Sequence, residues 1–208
     1  MRKQNRRLTL RACSILFALC LGGNAWAAAV STLLEDCASC HGKDGASTAS
    51  DVPIIGGYSA KYLADSLADY KDKARPCPEV KYLSGPHKGE AMDMCTVAAK
   101  LTDEDVTAIA SNLAAKPFVR AKQAFDATKA ARGKQVHDTN CKKCHEDGGS
   151  SPDDDAGILA GQWMPYIGHT FDEYASGKRP MVKKMKSKFD ELSKDDRDAL
   201  LNYFGSFK

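Results

Sequence analysis

The pattern Cys-x-x-Cys-His occurs twice in this chain and constrains its fold more than any other feature. The two copies are Cys37-Ala38-Ser39-Cys40-His41 and Cys141-Lys142-Lys143-Cys144-His145. Thiols at this spacing lie one helical turn apart and can form thioether bonds to the two vinyl groups of one haem, while the adjacent histidine binds the iron. The alternatives, a disulfide or half of a zinc site, do not require that histidine. The sequence therefore predicts two covalently bound haem c groups with iron bound by His41 and His145.

The two motifs belong to an internal repeat. They are 104 residues apart, and the same offset aligns residues 53–63 with residues 157–167, Tyr70 with Tyr174, and Arg75 with Arg179. Self-similarity at a fixed offset indicates a duplicated unit. We expect a first haem domain at residues 28–115, a linker at 116–123 that contains Pro117, and a second haem domain at 124–208.

Helical periodicity dominates both copies. Apolar and aromatic residues recur at steps of three and four from Tyr62 to Tyr70, and again after Thr102 and after Ser193. Thr102 and Ser193 each precede an acidic residue by three positions, which is the pattern of a helix N-cap. No segment shows a convincing strand alternation, so the sequence predicts an all-α fold.

The N-terminus has the features of a secretory signal peptide. Five basic residues precede a short apolar run at residues 15–21, and Ala25-Trp26-Ala27 provides a cleavage signature. We expect residues 1–27 to be removed after export to the periplasm; a short membrane anchor is the alternative. The mature chain has no apolar run of the roughly 20 residues that a transmembrane helix needs.

Removal of the signal changes the charge of the chain. Residues 1–27 carry five of the 30 Lys and Arg residues and none of the 27 Asp and Glu residues, so the remainder has a net charge of −2. Nothing in this composition favours nucleic-acid binding.

The repeat also selects the second axial ligands. After residue 76 the alignment continues at an offset of 91, and there Met94 is aligned with Met185. Met92 and Met181 have no methionine partner and fit a packing role, which is the alternative for any methionine. Because methionine is the usual ligand opposite histidine in electron-transfer haems, we predict that Met94 and Met185 bind the two irons. The other histidines, His87, His137 and His169, have no counterparts and are not expected to be ligands.

The change of offset places 13 extra residues in the first copy, between Cys77 and Cys95. In an oxidising compartment these two cysteines are expected to form a disulfide. The competing interpretation is that Cys95 is itself an axial thiolate of an enzyme haem. Arg75 and Arg179, with Tyr62, Tyr166 and Trp163, are candidate contacts for the haem propionates, since buried carboxylates need such partners; a solvated arginine is the alternative.

These features resemble a known family. The tandem of two haem domains is similar to the cytochrome c-four family of periplasmic dihaem carriers, which implies two class I cytochrome c domains. The second half further resembles the dihaem subunit of flavocytochrome c sulfide dehydrogenase, through His137-Asp138, residues 146–149, ILAGQWMPY at 158–166 and RPMVKKMKSK at 179–188. The first half shares the family pattern only in general and departs from it by the insertion, Cys77 and Cys95.

The resemblance implies an electron route. In that family a separate FAD-containing subunit oxidises sulfide, and the cytochrome subunit passes the electrons to another carrier, such as a cytochrome c or a terminal oxidase. This chain has no G-x-G-x-x-G motif for a flavin site of its own. Three functions follow as hypotheses: the electron-accepting subunit of a flavin-dependent sulfide dehydrogenase, a free-standing dihaem shuttle, and a small dihaem enzyme that oxidises thiosulfate at a His/Cys haem.

Overall fold

The computed structural model describes the backbone from residue 19 and the side chains from residue 30, both to residue 208. Over this range the chain is helical, as predicted, with only one two-stranded hairpin. The helices are α1 (Leu19–His41), α2 (Ala60–Lys71), α3 (Met94–Ala98), α4 (Asp103–Ala114), α5 (Ala127–Asn140), α6 (Met164–Ala175), α7 (Lys183–Phe189) and α8 (Lys194–Gly205). The strands are β1 (Val80–Lys81) and β2 (Ala91–Met92).

The helices repeat at the two offsets that the sequence predicts. Helices α2 and α6 have the same length and lie 104 residues apart, and α4 and α8 likewise correspond at an offset of 91. Thr102 and Ser193 are the N-caps of α4 and α8, and each forms a reciprocal capping box with the acidic residue three positions on. These caps satisfy backbone N–H groups that a helix start otherwise leaves unpaired. The offset is 104 for α2 and α6 and 91 for α4 and α8, so the 13 extra residues of the first copy lie between α2 and α4.

Each copy has its own apolar core. In the first, Leu63 of α2 packs against Ile109 and Leu113 of α4, together with the buried Tyr58. In the second, Ile167 and Phe171 of α6 pack against Phe204 of α8. The periodic residues predicted to share helix faces are therefore the ones that meet in these cores. Burial of such side chains stabilises each by about 1.5–3 kcal/mol relative to exposure.

The connection between the copies is ordered by contacts with both of them. Residues 116–126 form no helix or strand. Phe118 stacks on Tyr58, with ring centroids 5.9 Å apart. The Ala121 N–H donates to the Gly161 carbonyl at 2.7 Å, and Gln123 hydrogen-bonds to the backbone of Gln162 and Met164. The segment around the proposed linker is thus part of the packed molecule.

The insertion in the first copy forms the hairpin. Val80 pairs with Met92 and Lys81 with Ala91 in antiparallel register. A disulfide joins Cys77 to Cys95 across its base, with the Cα atoms 5.8 Å apart. The predicted disulfide is therefore present, and the Cys95 sulfur is bonded to sulfur. The interpretation of Cys95 as an axial thiolate is wrong for this structure.

In the second copy, helices α5 and α8 cross at a glycine. A Cβ placed on Gly133 would collide with the carbonyl oxygen of Ala199 and lie 2.7 Å from the Tyr203 Cβ. Both neighbours are parts of a helix that cannot swing away as a long side chain can. The close approach of the two helices therefore depends on glycine at this position.

We expect Gly133→Ala to lower the free energy of unfolding by about 1–3 kcal/mol, the usual cost of overpacking a close contact. Chemical denaturation of the haem-loaded protein measures this change. Gly168→Ala is the matched control, because a Cβ on Gly168 would meet only the Leu201 Cδ1 atom at 3.7 Å. Alanine favours a helix by about 1 kcal/mol over glycine, so the control should be neutral or stabilising. Equal destabilisation by both changes would contradict the crossing described here.

Candidate haem sites and the domain interface

The first motif occupies the last turn of α1, which places the Cys37 and Cys40 thiols one turn apart. The His41 ring is buried, and its Nδ1 lies 2.9 Å from the Pro53 carbonyl oxygen. Since a carbonyl can only accept, Nδ1 carries the proton and Nε2 keeps its lone pair. Burial lowers the pKa of His41, which favours the neutral imidazole that binds metals. His41 and Cys37 line a cavity of about 150 Å³.

The second motif follows α5 instead of continuing it. The N–H groups of Cys144 and His145 both donate to the Cys141 carbonyl at 3.0 Å, so the motif forms one hydrogen-bonded turn. His137 of α5, which is 1% exposed, ties this turn to the helix, because its Nε2 lies 3.0 Å from the His145 carbonyl oxygen. The His137 ring also packs against Tyr203 and Phe204 of α8. This buried, hydrogen-bonded position agrees with the expectation that His137 is not an iron ligand.

The predicted axial methionines lie at equivalent places in the two copies. Met94 is the first residue of α3 and Met185 lies in the first turn of α7, and both are half-buried. Met181 packs against the second core, which matches the packing role expected for it. Met92 lies in β2, in the insertion hairpin. The axial roles of Met94 and Met185 remain predictions.

The two copies meet through a pseudo-twofold interface. The Tyr58 hydroxyl donates to the Ile158 carbonyl at 3.2 Å, and the equivalent residue of the other copy, Gln162, donates to the Ile54 carbonyl at 2.8 Å. Ile54 and Ile158 are themselves equivalent at the 104-residue offset. Gln162 also donates to the Tyr58 hydroxyl at 2.7 Å, so the two equivalent side chains touch on the axis. Reciprocal contacts of this kind define an isologous interface.

Two buried arginines converge on one tyrosine in this interface. Arg75 and Arg179 are 6% and 7% exposed, and both guanidinium groups lie close enough to Tyr166 for their positive charges to act on its hydroxyl. Each also stacks on the equivalent tyrosine of its own copy, Arg75 on Tyr70 at 4.3 Å and Arg179 on Tyr174 at 5.0 Å. Burial raises the pKa of Tyr166, but the two positive charges outweigh burial and the net shift is downward. The alternative of a solvated arginine is therefore wrong at both positions.

The balance of charge in this cluster is a test of whether the residues fit haem propionates. Among the described residues, the carboxylate that pairs with this cluster is that of Glu173, whose Oε2 lies 3.9 Å from Arg179 Nη1. The Nε atom of Arg75 is buried without a hydrogen-bond partner. An uncompensated buried charge costs about 3–5 kcal/mol, so the cluster favours a further anion. Propionate carboxylates supply such an anion, and Arg75, Arg179, Tyr62 and Tyr166 would hold them.

One predicted propionate contact has a different partner. The Trp163 indole N–H, its only donor, donates to the Ser47 carbonyl at 3.0 Å across the interface. Trp163 is therefore an interface residue whose indole N–H already has a protein partner, and its role as a propionate contact stays a prediction. The sequence did not predict the roles of Gln162, Ser47 and Pro53. The sequence did contain a signal for Gln162: it is a polar residue in the otherwise apolar segment 158–166, and the repeat aligns it with Tyr58, which also has a hydrogen-bonding group.

The axial ligands can be tested by substitution. A haem iron that loses a methionine ligand loses its methionine–iron absorption band and has a lower reduction potential. We expect Met94→Ala and Met185→Ala each to remove about half of that band and to lower one of the two potentials, measured by optical redox titration. Met181→Ala is the control and should change neither quantity. Loss of the band in Met181→Ala, with the band intact in Met185→Ala, would contradict the assignment.

The arginine cluster can be tested through the potentials. Removing a buried positive charge beside a propionate makes the added electron less favourable. We therefore expect Arg75→Gln to lower the potential of one haem, with a smaller effect on the other. Arg132→Gln is the matched control, since Arg132 is exposed and pairs with Asp196 on the surface. Unchanged potentials in Arg75→Gln would show that the buried guanidinium does not face a propionate.

Comparisons with known proteins agree with this architecture. The family described as cytochrome c matches residues 27–114, and the family described as cytochrome c oxidase, cbb3-type, subunit III matches residues 128–204. Cytochrome c-554(548) of Halomonas halodenitrificans is 35% identical over 85 residues, which cover 41% of this chain and 89% of that protein. Cytochrome c4 of Pseudomonas aeruginosa is 27% identical over 209 residues, covering 91% of this chain and 94% of that protein.

Two further matches extend over both domains. The thiosulfate dehydrogenase electron acceptor of Stutzerimonas stutzeri is 27% identical over 182 residues, covering 82% of this chain and 78% of that protein. The crystal structure of reduced cytochrome c4 from Pseudomonas stutzeri has the same fold, with a TM-score of 0.69 and 23% identity, covering 86% of this chain and 97% of that one. With both haem-attachment motifs in place, the chain belongs to the cytochrome c family, as a cytochrome c4-like protein with two class I domains and two covalently bound haem c groups.

Proposed function

We propose that this electron-transfer protein accepts electrons from a separate dehydrogenase that oxidises an inorganic sulfur compound, and passes them to another carrier. The observation that supports transfer between the two domains is the pair of buried arginines beside one tyrosine; the donor is proposed from likenesses to known proteins. Haem c supplies one reversible one-electron carrier to each domain. Because Arg75 and Arg179 both lie beside Tyr166, the groups predicted to bind the propionates of the two haems lie in the same interface. This arrangement suits transfer between the domains within one molecule.

The interface residues do the structural part of this function. Gln162 is completely buried and satisfies both the N–H and the carbonyl of Ile54, at 3.0 and 2.8 Å. The Tyr166 N–H donates to the Ser50 carbonyl at 3.2 Å, which ties the start of α6 to the first domain. Buried hydrogen bonds of this kind are costly to break, since the groups would be left without partners. They hold the two domains in one orientation.

The donor is proposed from two different likenesses. The strings of residues 137–188 resemble the dihaem subunit of flavocytochrome c sulfide dehydrogenase, which makes an FAD-containing sulfide dehydrogenase the first candidate. The similarity to a thiosulfate dehydrogenase electron acceptor makes a thiosulfate dehydrogenase the second. A free-standing shuttle of the cytochrome c4 type needs neither. A dihaem enzyme with a His/Cys haem loses its support, because the Cys95 sulfur lies in a disulfide.

The proposed location is the periplasm. Residues 1–18 of the predicted signal peptide lie outside the described part of the chain, and residues 19–27 form the beginning of α1. Cleavage after Ala27 would leave a helix that still contains the whole first haem motif. None of the helices in residues 19–208 is both long and apolar enough to cross a membrane.

The donor can be identified by reduction in a native extract. The oxidised dihaem protein, mixed with the periplasmic fraction of its own cells, should be reduced on addition of sulfide or of thiosulfate, followed by the haem absorption. A sulfide dehydrogenase partner should also co-purify with flavin on the tagged protein, whereas a thiosulfate dehydrogenase should support reduction without it. The purified protein without extract is the control. Reduction by the extract with neither compound, but with another donor, would contradict the proposal and favour the free-standing shuttle.

A further inference from the structure

The insertion hairpin, residues 77–95, lies on the first haem-attachment motif. The backbone N–H groups of Leu83 and Ser84 both donate to the Ser39 carbonyl at 3.1 Å, and the Ser84 hydroxyl donates to the same oxygen at 3.2 Å. Ser39 stands between the two haem-binding cysteines and is 8% exposed. The Leu83 N–H also lies beside the Cys40 sulfur. The hairpin therefore covers the side of the motif that carries the second thioether.

A glycine makes the cover fit closely. Gly85 has a φ of +76°, and a Cβ at this position would lie 2.7 Å from the Ser39 hydroxyl oxygen. A larger residue would need both a strained backbone and a shift of the hairpin away from the motif. The hairpin turn is closed by hydrogen bonds between Tyr82 and the backbone of Gly89 and Glu90, at 2.9 and 3.1 Å. Together with the Cys77–Cys95 disulfide, these contacts hold the cover in place.

The second domain has no counterpart of this cover. Its sequence lacks the 13 inserted residues, and Lys142, Lys143 and Cys144 of its motif are exposed. Lys143 is the residue equivalent to the buried Ser39. The same motif is therefore open in one domain and closed in the other.

The helices that carry the predicted axial methionines differ in the same sense. Helix α7 carries four exposed lysines close in sequence to the half-buried Met185 and to the exposed Val182, its N-cap; they are Lys183, Lys184, Lys186 and Lys188. We call these four lysines and Val182, which is 74% exposed, the α7 lysine surface. The first domain has Met92, Asp93, Cys95 and Val97 at the positions of the four lysines. Its hairpin carries three acidic residues and two lysines between positions 78 and 93.

We propose that redox partners with an acidic surface dock on the α7 lysine surface, and that the hairpin closes the equivalent face of the first domain to them. An exposed apolar residue at the start of a helix with four exposed lysines matches an acidic protein surface with an apolar centre, and such charge complementarity speeds association and orients the partner. Repulsion by the net negative hairpin disfavours the same partner at the first domain. The proposal rests on the proposed function only in requiring a protein partner.

The test uses the haem-loaded protein in its reduced state, labelled with nitrogen-15, and poly-L-glutamate as the acidic probe. Amide shifts on titration should concentrate in residues 182–188 and leave residues 78–92 unchanged. Lys183→Glu with Lys184→Glu should weaken binding at least fivefold; these two are chosen because Lys186 and Lys188 pair with Asp190 and Glu191. Lys81→Glu with Lys88→Glu is the matched control and should leave the affinity unchanged.

Shifts centred on the hairpin, or equal weakening by both double variants, would overturn the docking surface. Hydrogen exchange tests the cover separately: the Leu83 and Ser84 amides should exchange at least tenfold more slowly than unprotected amides. In Cys77→Ser with Cys95→Ser this protection should fall. Unprotected amides in the unaltered protein would overturn the cover. Since the probe is not a dehydrogenase, these results are independent of whether sulfide or thiosulfate is the source of electrons.

Discussion

The buried amide of Gln162 is the interaction on which the two-domain arrangement depends. Gln162 belongs to the second domain, and its side chain hydrogen-bonds to the backbone of Ile54 in the first. It also donates to the hydroxyl of Tyr58, the equivalent residue of the first domain, at the pseudo-twofold axis. A polar side chain with no exposure is stable only when its hydrogen bonds are made, because losing them would cost about 1–3 kcal/mol for each unsatisfied group. The amide therefore specifies one relative orientation of the domains and does more than add to their contact.

That orientation brings two like charges together. Arg75 and Arg179 would repel each other in an apolar interface, yet both are buried and lie beside Tyr166. Stacking on Tyr70 and Tyr174 offsets part of the cost through cation–π attraction. The remaining positive charge suits the carboxylates of two haems. Propionates bound there would couple the binding of the cofactors to the contact between the domains.

Duplication made the two halves similar, and the insertion made them different. Helices α4 and α8 keep their length and capping boxes, and α2 and α6 keep their length, so equivalent helices form the core of each copy. The hairpin changes the surface of the first domain, where it covers the haem-attachment motif that is open in the second. Lysines on α7 change the outer side of the second. A symmetric interior with asymmetric ends gives a molecule in which the two haem domains present different surfaces to partners.

Much of the site was predictable because covalent haem attachment uses a strict local pattern. The sequence by itself determined the two motifs, the repeat, the capping boxes at Thr102 and Ser193, and the disulfide, since each depends on residue type and spacing along the chain. It could not predict that Trp163 bonds to Ser47, that Pro53 orients His41, or that Arg75 and Arg179 converge on Tyr166. The Trp163–Ser47 and Arg75–Tyr166 contacts join residues of different domains, up to 116 positions apart, and only the packing of one domain on the other decides them. The Pro53–His41 contact lies within the first domain and depends on how the loop after the motif folds back on it.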